Sequence, residues 1–164
     1  MKTTGLIVMG VAGCGKTSVG KTLAGQLGWD FFDADDLHPP ENVSKMAAGI
    51  PLTDQDRAPW LAALRDLLSR TLRAGSHPIL ACSALKLSYR KTLLDGNTGI
   101  RVVFLKGDYD LILSRMNERT DHYMKPGMLR SQFDALEEPA DALTVDVARP
   151  LREIVETILH AIQE

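Results

Sequence analysis

Gly10-Val11-Ala12-Gly13-Cys14-Gly15-Lys16-Thr17 satisfies GxxxxGK[ST] at every fixed position, with the apolar run Leu6-Ile7-Val8-Met9 before it and a helical pattern after it. Strand, glycine-rich turn and helix in that order make a phosphate-binding loop. The glycines let the backbone curl until successive N–H groups point at phosphate oxygens, and a helix starting near Lys16 adds its positive end. Lys16 is placed to reach the outer phosphates of a triphosphate. The Thr17 hydroxyl is placed to sit on Mg²⁺, with Ser18 next in the opening turn. The loop defines a nucleoside triphosphate site and leaves the acceptor to be read elsewhere.

At 164 residues and 45% hydrophobic, the chain reads as one globular domain able to bury a substantial core. Nineteen basic against twenty-one acidic residues leave a net charge of −2, so no global field favours nucleic acid or an anionic membrane. Apolar stretches such as Ile79-Leu80-Ala81-Cys82 are too short to span a bilayer, and Met1-Lys2-Thr3-Thr4 runs straight into a strand. No signal peptide or anchor is expected. Cys14 and Cys82 lack the spacing of a metal site and read as reduced thiols in a cytosolic protein. A redox pair between them is a further reading, because the strands they follow can be neighbours.

Working outward from the loop, Val19, Leu23 and Leu27 recur at four-residue spacing, and Gly28 stands where a helix C-cap belongs. Trp29 to Phe32 reads as strand two, ending in Asp33-Ala34-Asp35-Asp36. In an open parallel sheet the ligand crevice lies at the carboxyl ends of the strands, which brings these acids to the rim that carries the phosphate loop. A short helix from about Glu41 to Ala48 follows Pro39-Pro40 and breaks at Gly49-Ile50-Pro51. Thr53 to Asp56 offers N-cap candidates for a longer helix striped by Leu61, Leu64, Leu68 and Leu72.

Pro78–Cys82, Arg101–Leu105 and Leu143–Val147 read as strands three to five, separated by a helix from Leu87 to about Leu94 and by one running from about Tyr109 towards Arg119. Loop-like composition between Thr120 and Gly127 suggests a lid over about 119–128, after which helix resumes from Met128 to about Leu136; Pro150 opens the last helix. Five strands alternating with helices imply a doubly wound α/β domain with a parallel sheet, carrying an acceptor-binding excursion at about 38–60.

A small-molecule kinase, a GTPase switch and a nucleotide-driven motor all use such a loop. NKxD and DxxG segments are absent from the sequence, and strand three ends in Cys82-Ser83 rather than in a metal-organising acid. The metal-organising acids therefore come from Asp33 or Asp35, as a small-molecule kinase would have them.

The run Asp33-Ala34-Asp35-Asp36-Leu37-His38-Pro39 is followed by Asn42, Lys45-Met46, Gly49, Pro51-Leu52, Asp54, Asp56-Arg57, Pro59-Trp60-Leu61, Cys82-Ser83-Ala84-Leu85-Lys86 and Tyr89-Arg90. With Leu105-Lys106-Gly107 and the segment from Gln132-Phe133 to Glu138-Pro139, these residues resemble the gluconokinase family along essentially the whole chain. The resemblance implies ATP-dependent phosphorylation of D-gluconate at its 6-hydroxyl, Mg²⁺, a fold like the shikimate and nucleoside monophosphate kinases, and a homodimer. Rival readings are a kinase of another small hydroxy-acid such as shikimate, and a nucleotide-binding regulator without turnover.

Phosphoryl transfer needs positioning and charge neutralisation, so each charged rim residue can be given a task. Asp33 and Asp35 stand two apart where strand two ends, and an irregular strand end lets them point different ways, which allows Asp33 to hold hydrated Mg²⁺ and Asp35 to orient or deprotonate the acceptor hydroxyl. Helix capping or a solvated acidic turn is the plainer alternative. A shikimate-kinase-like DxD pair supports the division. Arg57 suits an acceptor carboxylate because a guanidinium binds it through two parallel hydrogen bonds. His38, Lys45 and Arg90 are candidates for sharing the carboxylate and polyol contacts, and Lys86 for touching substrate or transferred phosphate, unless it is a solvated first-turn lysine. Trp60 walls the pocket or belongs to the core. By resemblance to shikimate kinase, Arg115 stacks on adenine opposite the Pro150 region and Arg119 approaches the phosphates. Arg130 is a further phosphate or carboxylate contact, while His77 and His160 read as structural or solvent-facing.

Overall fold

The computed structural model describes residues 2–118 and 126–163. Arg119 and most of the lid segment lie outside the described residues. Strands β1 (Gly5–Met9), β2 (Asp30–Asp33), β3 (Pro78–Ala81), β4 (Ile100–Lys106) and β5 (Leu143–Asp146) form one sheet in the order β2-β3-β1-β4-β5. Every neighbouring pair is parallel. The helices are α1 (Lys16–Leu27), α2 (Pro40–Ala47), α3 (Asp54–Arg73), α4 (Leu87–Leu94), α5 (Tyr109–Asn117), α6 (Pro126–Ala135) and α7 (Leu151–Ile162). The doubly wound α/β expectation holds.

β1 is central because it is apolar on both faces: Leu6, Ile7, Val8 and Met9 have no exposed surface. The pleat divides them. Leu6 and Val8 join Val19 and Leu23 of α1 and Ile154, Val155 and Ile158 of α7 in one core layer. Ile7 and Met9 join Trp60, Leu61, Leu64 and Leu68 of α3 and Leu93 of α4 in the other. The same division separates the cysteines: Cys14 packs in the first layer and Cys82 in the second, which corrects the redox-pair reading. Burial also pushes the Cys82 thiol up to about 12, far from a reactive thiolate.

Local signals placed most element ends. Gly28 caps α1 with φ 70°, its N–H donating to Ala24 O. Thr53 closes a capping box: its hydroxyl accepts from Asp56 N at 3.1 Å while the Asp56 carboxylate accepts from Thr53 N at 2.9 Å. Strand two starts one residue later than the aromatic run suggested, because Trp29 N still donates to Ala24 O and Asp30 N is the first to pair across, with His77 O. Helix α6 begins at Pro126, two residues ahead of the expected Met128, since proline is accommodated at the first helical position.

Candidate active site

Strand order decides where the chemistry sits. The carboxyl ends of β1, β3 and β2 are adjacent, and each delivers one wall of a cleft of about 280 Å³. The first wall is the phosphate loop: Ala12, Gly13, Gly15, Lys16, Thr17 and Ser18 line it. Gly13 has φ 80°, and a β-carbon there would lie 2.8 Å from Met116 Cγ, so both the backbone turn and the approach of α5 demand glycine. Gly15, at φ 99°, turns the chain into α1. Val11 and Cys14 are buried beneath the loop, with Gly10 at its root beside Cys14 Sγ. Lys16 Nζ arches back over the loop, donating to Gly10 O at 3.0 Å and Val11 O at 2.9 Å.

The second wall comes from the end of β2. Thr17 Oγ1 donates to Asp33 Oδ2 at 3.2 Å, and Asp33 Oδ1 accepts from Asp35 N at 3.0 Å, which caps the 3-10 turn Ala34–Leu37. One acid thus caps and also meets the threonine, so the capping and metal readings of Asp33 coexist. Asp35 stands at the open mouth of the cleft, yet its carboxyl is crowded by protein. Desolvation and the neighbouring Asp33 and Asp36 raise its pKa above 3.8, against the opposing pull of Lys16.

His38 and Trp60 stack face to face, 4.2 Å between ring centroids, and the indole Nε1 donates to Ala34 O at 2.7 Å. Trp60 is therefore both core and cleft wall. Burial and the Arg57 guanidinium bring the His38 pKa down to about 4, so the imidazole is neutral at physiological pH. Asn42 Nδ2 donates to Asp56 O at 2.9 Å and lies 3.1 Å from His38 Nδ1, which assigns Nδ1 as acceptor and leaves the proton on Nε2. His38 therefore carries an uncharged ring with an Nε2–H donor.

Arg57, in the first turn of α3, lines the cleft with Met46 and Leu52. Its Nη1 donates to Tyr89 Oη at 3.1 Å, and that hydroxyl donates to Asp54 Oδ1. The buried Tyr89 phenol therefore steadies the guanidinium, whose Cζ lies 5.5 Å from the ring centroid.

Four other expected contacts are given different work. Lys45 pairs with Asp56 at 2.9 Å, tying α2 to the start of α3, and the Asp56 carboxyl is held down at about 2 chiefly by the Thr53 N–H and by Lys45. Lys86 pairs with exposed Asp54 at 3.2 Å. Arg130 lies over the Tyr109 ring, 4.0 Å to its centroid. Arg90 is only 4% exposed, and its guanidinium donates to Ala84 O at 2.7 Å, Leu85 O at 3.2 Å and Glu137 O at 2.8 Å. None of the four lines the cleft. Ala84 adopts φ 45°, a costly conformation for an alanine, and Arg90 clamps that turn just after Ser83, which does line the cleft. Arg90→Ala should thus cost about 3 kcal/mol, because three carbonyls lose a charged donor. Thermal unfolding should show a Tm lower by roughly 6–12 °C. An unchanged Tm would remove the clamp.

Arg115 is half-buried in the last turn of α5, and Pro150 caps α7. His77 Nδ1 meets Thr4 O at 2.9 Å, a structural contact, and His160 is exposed. Residues without an assigned role also reach the cleft: Ser83, Met46, Leu52, Met128 and Gln132. Gln132 had a signal in its place within the Gln132-Phe133 segment, but a glutamine on an amphipathic helix is ordinarily a surface residue.

Two catalytic poles on one rim, a phosphate loop and an acid pair with an arginine beyond, define a P-loop kinase that acts on a small anionic acceptor. A sequence model of the shikimate kinase family matches residues 12–163. The thermoresistant gluconokinase of Escherichia coli is 43% identical across 96% of this chain and 93% of its own length; a probable gluconokinase of Mus musculus is 43% identical across 96% and 97%. The crystal structure of a gluconokinase from Sinorhizobium meliloti superposes with a TM-score of 0.88 at 44% identity, covering 99% of this chain and 94% of that one. The chain belongs to the gluconokinase family, within the broader shikimate kinase group.

Proposed function

We propose that the protein transfers the terminal phosphoryl group of ATP to the 6-hydroxyl of D-gluconate, giving 6-phospho-D-gluconate and ADP. The carrying observation is the single cleft in which Lys16 and Thr17 stand with Asp33, Asp35 and Arg57. Family membership at 43% identity supports gluconate over shikimate as acceptor.

The loop amides and Lys16 receive the phosphates, and Arg57, steadied by Tyr89, takes the acceptor carboxylate through paired hydrogen bonds. The neutral His38 donates from Nε2 to a hydroxyl of the polyol. Asp35 orients the attacking hydroxyl and accepts its proton as the new P–O bond forms and the bond to the ADP oxygen breaks. A carboxylate made more basic by crowding suits that task. Thr17 and Asp33 present two hard oxygens 3.2 Å apart at the loop, a donor set that would suit a hydrated Mg²⁺. When bound, the ion neutralises charge on the outer phosphates. Arg115 and the Pro150 region stack the adenine, and Arg119 completes the phosphate contacts. We place the enzyme in the cytoplasm as a homodimer; among the described residues no helix is long and apolar enough to cross a membrane.

The test is Mg²⁺-dependent ADP formation with gluconate, other aldonic acids, shikimate, glycerate and nucleoside monophosphates in parallel. Turnover with one of the others and none with gluconate would overturn the acceptor. Arg57→Ala should raise the gluconate KM about ten- to a hundredfold, the loss of a charge-assisted contact, and change the ATP KM little. Equal effects on both would point to damage of the fold.

A further inference from the structure

The amide of Ala12 lies on the phosphate loop, and Gln132 Oε1 accepts its N–H at 2.7 Å across 120 residues of chain. That distance is at the short end for an N–H···O bond. Gln132 is delivered by a fixed element: Leu129, three residues earlier and so on the same face of α6, is fully buried in the layer that also holds Val11, Cys14 and Ile112. Gln132 lines the cleft together with Asp35 and Arg57.

The residue type is informative. A carboxylate at this position would hold the Ala12 N–H at least as firmly, but would place negative charge in a cleft that must admit a triphosphate. A lysine or arginine has no acceptor to offer the amide. A carboxamide fastens the loop and adds no charge. We infer that Gln132 is a positioning residue for phosphoryl transfer: acting through the Ala12 peptide, it holds the loop in its phosphate-receiving shape, and its neutrality is a requirement of the site.

The inference rests on the loop as the ATP site, and is independent of which acceptor is used. It is tested by calorimetric titration with Mg²⁺ and a non-hydrolysable ATP analogue, without acceptor. Gln132→Glu keeps an oxygen for Ala12 and should unfold at the same temperature as the parent, yet bind the analogue at least about tenfold more weakly. The defect should shrink at high ionic strength. Gln132→Ala should weaken the analogue by roughly three- to tenfold, one hydrogen bond's worth. In turnover, both should raise the ATP KM and leave the gluconate KM within about twofold. A purely structural latch would be rescued by glutamate. Parent-like analogue binding by Gln132→Glu therefore overturns the inference, as does parent-like binding by Gln132→Ala. A parent protein that binds the analogue and fails to phosphorylate gluconate would instead sink the acceptor assignment and leave Gln132 untouched.

Discussion

Lys16→Ala is expected to lower phosphoryl transfer at least about a thousandfold while the protein stays folded. The ammonium has three N–H donors, and two of them are committed to Gly10 O and Val11 O. This pins the positive charge over the curled loop with its remaining donor available to a phosphate. Alanine removes the charge and both of the bonds that hold the arch. Fold loss is not expected, because Lys16 belongs to neither core layer and the loop's glycine geometry is set by Gly13 and Gly15. Steady-state rates with circular dichroism in parallel decide it: a folded variant within tenfold of the parent rate contradicts the role.

Asp35→Asn should produce two opposite effects. Transfer should fall by about 10²–10⁴-fold, the usual worth of a positioned base. Stability near pH 7 should rise. The folded-state pKa of Asp35 is raised above 3.8, first by desolvation and then by Asp33 and Asp36, so ionising it costs the folded protein more than the unfolded chain. Its favourable contribution is full below the unfolded value of 3.8 and is lost as pH rises through the folded value. At neutral pH, above the unfolded value, Asp35 costs the folded protein stability, and asparagine removes that cost. Tm should therefore exceed that of the parent at pH 7, with the gap closing as pH falls below 3.8. Parent-like activity, or a Tm lower than the parent at pH 7, would refute the assignment.

What the sequence disclosed is what short patterns encode. A strand, a glycine loop and a helix identify the phosphate site because all their constraints lie within about twenty residues. Gly28, Thr53 and the striped α3 were legible for the same reason, and Arg57 followed from its place in the first turn of a capped helix. The cations were harder. Lys45, Lys86, Arg90 and Arg130 are of the right type for an anionic substrate, but their partners Asp56, Asp54, Glu137 and Tyr109 lie at separations that carry no local signal. The cysteines were misjudged because adjacency of strands was considered without the turn of the phosphate loop, which carries Cys14 into one core layer while Cys82 packs in the other. Gln132 escaped because its partner Ala12 lies on the first βα turn, at the other end of the sequence.

The strand order β2-β3-β1 has a consequence for how such an enzyme measures its substrate. Two interstrand spacings of roughly 4.8 Å each separate the strand that launches the phosphate loop from the strand that launches the acid pair. Peptide hydrogen bonds set that span, and no exchange of side chains alters it. Changes around Arg57 and His38 can retune which hydroxy-acid is gripped, while the reach from donor to recipient stays as the sheet dictates. Diversification of such a scaffold is thus steered towards recipients of similar length and different decoration.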